Sequence, residues 1–165
     1  MKLKTKDLWL LVFILLYPLT SPLVKHIPNP MLPGASIALN MVWIVLAGYF
    51  FGPLSGALAG ALGTFLAALI FADVYDGLAV FPHLLMGMAA GYLGSKPNRE
   101  LPASATILIG HLLNLLIFLR IPATTFATDP ALVALGIAAE AMIDVVTLML
   151  LIMLLQKWFY HKNRW

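Results

Sequence analysis

The sequence predicts an all-α integral membrane protein with six transmembrane helices in one domain, residues 1–165. The chain is 62% hydrophobic and only 10% charged, whereas about a quarter of the residues of an ordinary soluble domain are charged. Its apolar segments approach the roughly 20 residues that a helix needs to cross a hydrocarbon core. The intervals between these segments hold prolines, glycines and charges, which end helices. A soluble fold of 165 residues could not bury this much apolar surface, so we expect the chain to contact lipid.

The first apolar segment follows a basic start, MKLKTK, without an A-x-A cleavage pattern, so we expect a retained helix rather than a signal peptide. Three prolines and a glycine in IPNPMLPG (27–34) separate it from the second segment. Gly52-Pro53, an acidic loop from Asp73 to Asp76 and the polar stretches 95–102 and 120–130 mark the later breaks. The predicted spans are 8–24, 35–51, 54–71, 77–94, 104–119 and 131–157.

The basic residues predict the orientation, because cytoplasmic loops of membrane proteins are enriched in Lys and Arg. With the N-terminus inside, eight basic residues lie on the inner side, and Lys25 and Arg120 lie outside. The eight are Lys2, Lys4, Lys6, Lys96, Arg99, Lys157, Lys162 and Arg164. We therefore expect a multi-pass protein of the cell (cytoplasmic) membrane with both termini in the cytoplasm.

The third segment is unusually rich in small residues, FGPLSGALAGALGTFLA (51–67). Small side chains let helices approach closely in lipid, where burying large apolar groups gains little. The candidate packing glycines are Gly52, Gly56, Gly60 and Gly63, with a second small-x-x-x-small pair in Gly87 and Gly91. We expect packing within the bundle, with a docking face for another subunit as the alternative.

Six polar side chains fall between the outer surface and the midplane of the predicted spans. Such groups are costly in a membrane and usually face a bundle interior or a cavity. They are Asn40, His83, His111, Asn114, Glu140 and Asp144. Glu140 and Asp144 share a helix face at i, i+4 spacing. The pattern predicts an outward-open pocket for a polar, cationic or amine-bearing ligand, with interhelical hydrogen bonding as the alternative.

The sequence predicts no catalytic centre, cofactor or metal. There is no cysteine, no phosphate-binding loop and no H-E-x-x-H motif. Two histidines and two carboxylates have the composition of a divalent-metal site, but only Glu140 and Asp144 stand at ligand spacing. The few aromatic candidates disfavour a large flat ring as ligand, and nothing indicates a nucleic-acid partner.

Residues 27–70, IPNPMLPGASIALNMVWIVLAGYFFGPLSGALAGALGTFLAALI, resemble the S components of energy-coupling factor (ECF) transporters, which capture vitamins. The resemblance implies substrate binding at the outer side under a loop of residues 25–34. It also implies a transmembrane coupling subunit and two cytoplasmic ATPases as partners. The candidate gating residues are Pro28, Asn29, Pro30, Pro33 and Gly34. The first helix departs from the pattern, since it lacks an A-x-x-x-A face for docking.

Two other classes remain as alternatives at this stage. A six-helix membrane scaffold of the MreD type has similar length and topology, but it needs no polar pocket. An intramembrane metal-dependent enzyme would use the histidine and carboxylate cluster.

Overall fold

The computed structural model describes residues 5–32, 35–96, 98–118 and 129–162, apart from the side chains of residues 118, 130 and 158–162. The described chain is helical, and within it an isolated antiparallel bridge between Pro28 and Ser36 is the one extended pairing. Its helices are α1 (Thr5–Val24), α2 (Val42–Phe51), α3 (Pro53–Phe71), α4 (Val74–Leu93), α5 (Glu100–Ala105), α6 (Ile107–Phe118) and α7 (Pro130–Lys162).

Four helical segments of the described chain are long and apolar enough to cross a membrane. They are Thr5–Val24, Pro53–Phe71, Glu100–Ile117 and Ala131–Lys157, and Leu39–Phe51 is a shorter apolar helix. Large apolar side chains point outward from these segments, including Leu19, Leu54 and Leu154, each more than two-thirds exposed. An outward apolar surface of this kind is what contact with lipid requires.

Several helix boundaries differ from the predicted ones, and the fifth span already begins at Glu100, inside the predicted break 95–102. The second helix begins at Val42 after a 3-10 turn, Leu39–Met41, rather than at residue 35. Residues 36 and 37 pair instead with residues 28 and 27 in a short antiparallel contact, in which Ile37 donates to the Ile27 carbonyl, and such extended backbone is not helical. The connection between α1 and α2 is therefore longer than predicted.

The expected acidic loop from Asp73 to Asp76 is instead the start of α4. Asp73 caps the helix, because its carboxylate accepts from the amides of Tyr75 and Asp76. A carboxylate at this position pairs amides that have no partner inside the helix. Asp76 consequently lies in the first helical turn rather than in a loop.

The small-residue helix α3 packs against α4 through backbone contact. A Cβ atom added at Gly56 would collide with the Gly87 backbone, and one added at Gly60 would collide with the His83 carbonyl. Gly91 faces the turn that joins α2 to α3 in the same way. Glycine is required here because any side chain would force the two helices apart.

The other two candidate glycines, Gly52 and Gly63, do not face α4. A Cβ at Gly63 would lie against α1, 3.0 Å from the Ile14 carbonyl oxygen. Gly52 ends α2 with a φ of 94°, a left-handed conformation that favours glycine. A Cβ atom at this position would meet open space. The structure thus places five of the six candidate glycines against neighbouring backbone.

A polar cluster joins three helices at the end of the bundle where α2 finishes. The Tyr49 hydroxyl donates to the Glu100 carboxylate at 3.2 Å, and the Gln156 amide donates to both of these groups. The Arg99 guanidinium lies over the Tyr49 ring. These contacts tie α2, α5 and α7 together on the side opposite the cavity described next.

Candidate functional site

A cavity of about 350 Å³ lies inside the bundle, between α1, α4, α6 and α7. The connection between α1 and α2 covers it, contributing Leu32, Ile37 and Ala38 to the lining. Apolar side chains such as Met41 and Ile137 form much of the wall. Ligand sites commonly have this form, an apolar cleft with a few placed polar groups.

Asn29 organises the covering loop. Its side-chain oxygen accepts from the amides of Met31 and Leu32, and its side-chain nitrogen donates to the Gly136 carbonyl on α7, all at 3.0 Å. Only 6% of Asn29 is exposed. The loop is therefore attached to α7 by a buried amide that satisfies backbone groups of both segments.

Of the candidate gating residues that the structure describes, Pro28, Asn29 and Pro30 do not belong to the cavity lining. Pro28 is paired with Ser36 at the base of the loop, and Pro30 is exposed. Pro33 and Gly34 lie outside the described residues, as does Arg120.

Two further contacts hold the loop. Glu140 accepts from the Ala38 amide at 2.6 Å, and the Lys25 ammonium pairs with Asp73 at 2.5 Å. Burial raises the pKa of the Asp73 carboxyl, but hydrogen bonds from Lys25 and from the Tyr75 amide outweigh this effect and hold the pKa below its ordinary value. Asp73 therefore stays ionised at neutral pH, and the ion pair is intact there.

His83 lies at the centre of a hydrogen-bonded row across the bundle. One ring nitrogen is 2.8 Å from the Thr64 hydroxyl, and the other is 3.2 Å from the Asn114 side-chain nitrogen. An amide nitrogen can only donate, so the second ring nitrogen is the acceptor of this bond. Tyr17 packs edge-on against the ring with centroids 5.6 Å apart.

The side-chain nitrogen of Asn40 donates a hydrogen bond, whereas its side-chain oxygen has no partner among the described residues. The Ser21 hydroxyl donates to the Tyr17 carbonyl, so its oxygen is left to accept from the Asn40 nitrogen at 2.8 Å. The Asn40 oxygen is buried and has no partner among the described residues. The same holds for one oxygen each of Asn114 and Asp76, and all three residues line the cavity.

His111 and Asp144 form a buried pair behind the cavity wall, 2.8 Å apart. Asp144 is fully buried and does not line the cavity, whereas His111 does. Three possible metal-ligand atoms lie within 4.8 Å of one another, one from each of His111, Glu140 and Asp144. This is the composition of a metal site, but His111 and Asp144 bind each other and Glu140 already accepts the Ala38 amide.

The structure thus brings five of the six predicted polar residues to one cavity, and it places the sixth, Asp144, behind His111. Sequence reasoning missed several lining residues, namely Tyr17, Ser21, Lys25, Asp73 and Asp76. The signal for Asp76 was present, since a carboxylate near the predicted start of an apolar helix needs a partner. Nothing in the sequence distinguishes Tyr17 or Ser21 from other residues of α1.

The bundle thus holds a mainly apolar cavity with a few polar groups inside helices that are apolar enough to face lipid, a form that small-molecule sites commonly have. A family model described as the ECF-type riboflavin transporter, S component, matches residues 11–158. The chain belongs to this family of ECF transporter S components, and the match extends well beyond residues 27–70, which carry the resemblance in the sequence. No curated protein and no solved structure matches the chain.

Proposed function

We propose that this protein is the substrate-capture subunit of an ECF-type importer, and that it binds riboflavin or a chemically related micronutrient in the roofed cavity. The single observation that carries the proposal is that Asn40, Asn114 and Asp76 line one cavity, and that each has a buried side-chain oxygen without a partner among the described residues. Buried acceptors without partners are costly. A ligand that donates N–H or O–H groups to them would remove this cost.

The loop between α1 and α2 acts in this proposal as the lid over the bound ligand. Among its described residues, three polar contacts attach it to α7 and α4: Asn29 to Gly136, Ala38 to Glu140, and Lys25 to Asp73. Leu32 packs beside them against Gly136, so opening the lid would break both hydrogen bonds and apolar packing. Riboflavin, named by the family, is the first ligand to test, although its flat ring system is one that the sequence disfavours.

The membrane arrangement of the proposal has six spans with both termini in the cytoplasm and the lid outside. The positive-inside rule supports it, and so does the position of the lid at the end of the bundle opposite Glu100 and Gln156. In this function the chain is a binding subunit, not an enzyme, and its partners are a transmembrane coupling subunit and two cytoplasmic ATPases. Because Gly56 and Gly60 contact α4, we propose that docking uses another surface.

The test is equilibrium binding of riboflavin to the purified protein in detergent, with native mass spectrometry to identify any ligand that co-purifies. We expect one ligand per chain. Asn40→Leu removes a cavity acceptor at similar side-chain size, and we expect it to weaken binding about tenfold or more, as loss of a buried hydrogen bond does. Phe81→Leu is the control, since Phe81 is 60% exposed and lies outside the lining.

A folded protein that binds neither riboflavin nor any related micronutrient would contradict the proposal. Equal loss of binding in Asn40→Leu and Phe81→Leu would contradict the assignment of the cavity. Stable co-purification with other membrane proteins in the absence of any small ligand would favour the scaffold alternative instead.

A further inference from the structure

The charges around the cavity are unevenly distributed. Among the described lining residues, the carboxylates of Asp73, Asp76 and Glu140 face a single ammonium group, that of Lys25. That ammonium is already paired with Asp73 at 2.5 Å. Asp144 adds a further carboxylate behind the wall, bonded to His111. A ligand entering this cavity therefore meets negative charge that the described side chains do not balance.

Asp76 is a lining carboxylate with an oxygen that has no partner among the described residues. One oxygen accepts the Tyr17 hydroxyl at 3.0 Å, while the other is buried and unpartnered. Both oxygens of Asp73 are occupied, by Lys25 and by amides of its own helix, and one oxygen of Glu140 accepts the Ala38 amide. Asp76 therefore lines the cavity with unused capacity to accept a hydrogen bond.

We infer that the cavity takes neutral or cationic ligands that present N–H or O–H donors, that it rejects their phosphorylated forms, and that Asp76 is a residue that determines this selectivity. The inference rests on the proposed function, and it restricts the proposed substrates to molecules without a phosphate group. A phosphate group would bring two negative charges toward the Asp76 and Glu140 carboxylates. Like charges placed together at a binding site repel each other and weaken binding.

The experiment measures binding of matched pairs of vitamins with and without a phosphate ester, such as riboflavin and its 5′-phosphate, and pyridoxal and its 5′-phosphate. We expect the wild-type protein to bind the unphosphorylated member of a pair at least about tenfold more tightly. Asp76→Asn replaces the available oxygen by an amide donor and removes the charge. It should bind the unphosphorylated ligand more weakly and reduce the preference several-fold.

Tyr17→Phe separates this role from a structural one. It removes the hydroxyl that Asp76 accepts but keeps the carboxylate charge, so it should preserve the preference for the unphosphorylated ligand. If Tyr17→Phe and Asp76→Asn reduce the preference equally, Asp76 acts only by holding Tyr17, and the inference is wrong.

The outcomes also separate the inference from the proposed function. Equal affinity of the wild-type protein for both members of a pair would overturn the inference and leave substrate capture intact. Binding of no member of any pair by a folded protein would overturn the inference together with the proposed function.

Discussion

Glu140 shows how one side chain can connect the lid to the bundle. It is 8% exposed, it lines the cavity, and it accepts the Ala38 amide at 2.6 Å. The side chain therefore has a second role beside any contact with ligand, which is to attach Ala38 of the lid connection to α7.

Replacing Glu140 should change the exchange of the lid amides. Glu140→Leu removes the acceptor of the Ala38 amide, and we expect hydrogen–deuterium exchange in the peptide containing residues 35–38 to rise about tenfold, the equivalent of one such hydrogen bond. Glu140→Gln retains an acceptor oxygen and should raise exchange much less. Equal rates in the two variants and the wild type would show that Glu140 does not hold the lid.

At the scale of the element, α3 and α4 approach each other through glycine because an atom larger than hydrogen cannot fit between their backbones. Gly56 and Gly87 contact each other reciprocally, and Gly60 faces the carbonyl of His83. The packing therefore also positions the His83 ring, which projects from the same turn of α4 toward Thr64 and Asn114. The α3–α4 pair therefore provides both the close glycine packing and the hydrogen bond between Thr64 and His83.

Two glycine substitutions should have opposite effects on stability. Gly56→Ala adds a methyl group that collides with the Gly87 backbone, and we expect it to lower the thermal unfolding temperature in detergent, since overpacking costs roughly 1–3 kcal/mol. Gly77→Ala is the matched control, because its Cβ would meet only the Ala68 Cβ at 4.0 Å. It should leave stability unchanged or raise it, as alanine favours a helix by about 0.5–1 kcal/mol over glycine. Similar losses in both variants would contradict the backbone contact.

At the scale of the whole molecule, the two ends of the bundle differ in what they carry. One end holds the lid and the cavity, while the other holds the compact cluster of Tyr49, Glu100 and Gln156. In the proposed function, substrate enters at the first end, and the second end lies toward the cytoplasm. This orientation is a prediction from the basic residues, and it can be measured directly.

The absence of cysteine from the chain makes single-cysteine labelling a clean measurement of orientation. Ser36 and Ser95 are both exposed and lie at opposite ends of the bundle. A membrane-impermeant maleimide should label Ser36→Cys in intact cells, and it should label Ser95→Cys only after the membrane is permeabilised. The reverse pattern would place the lid inside and would contradict capture from the outer side.

Composition and the spacing of apolar runs by themselves determined the helical membrane class, and the starts of α3 and α7 were predicted within a residue. The glycines of the third segment indicated close packing, because small residues let helix backbones approach each other in lipid. The depth of the polar residues indicated a cavity, because polar groups in a membrane must share an interior. The membrane class, the glycine packing and the polar interior depend on local composition and spacing, which can be read from a single sequence.

Only the tertiary structure decided which polar groups are paired and which remain available. Asp144 binds His111 across 33 positions, Asn29 reaches Gly136 across 107, and Ala38 reaches Glu140 across 102. Hydrogen bonding between such distant residues depends on how the helices pack, and helical periodicity contains no record of it. The later start of α2 has a similar cause, since residues 36 and 37 pair in antiparallel fashion with residues 28 and 27, and this extended backbone cannot also be helical.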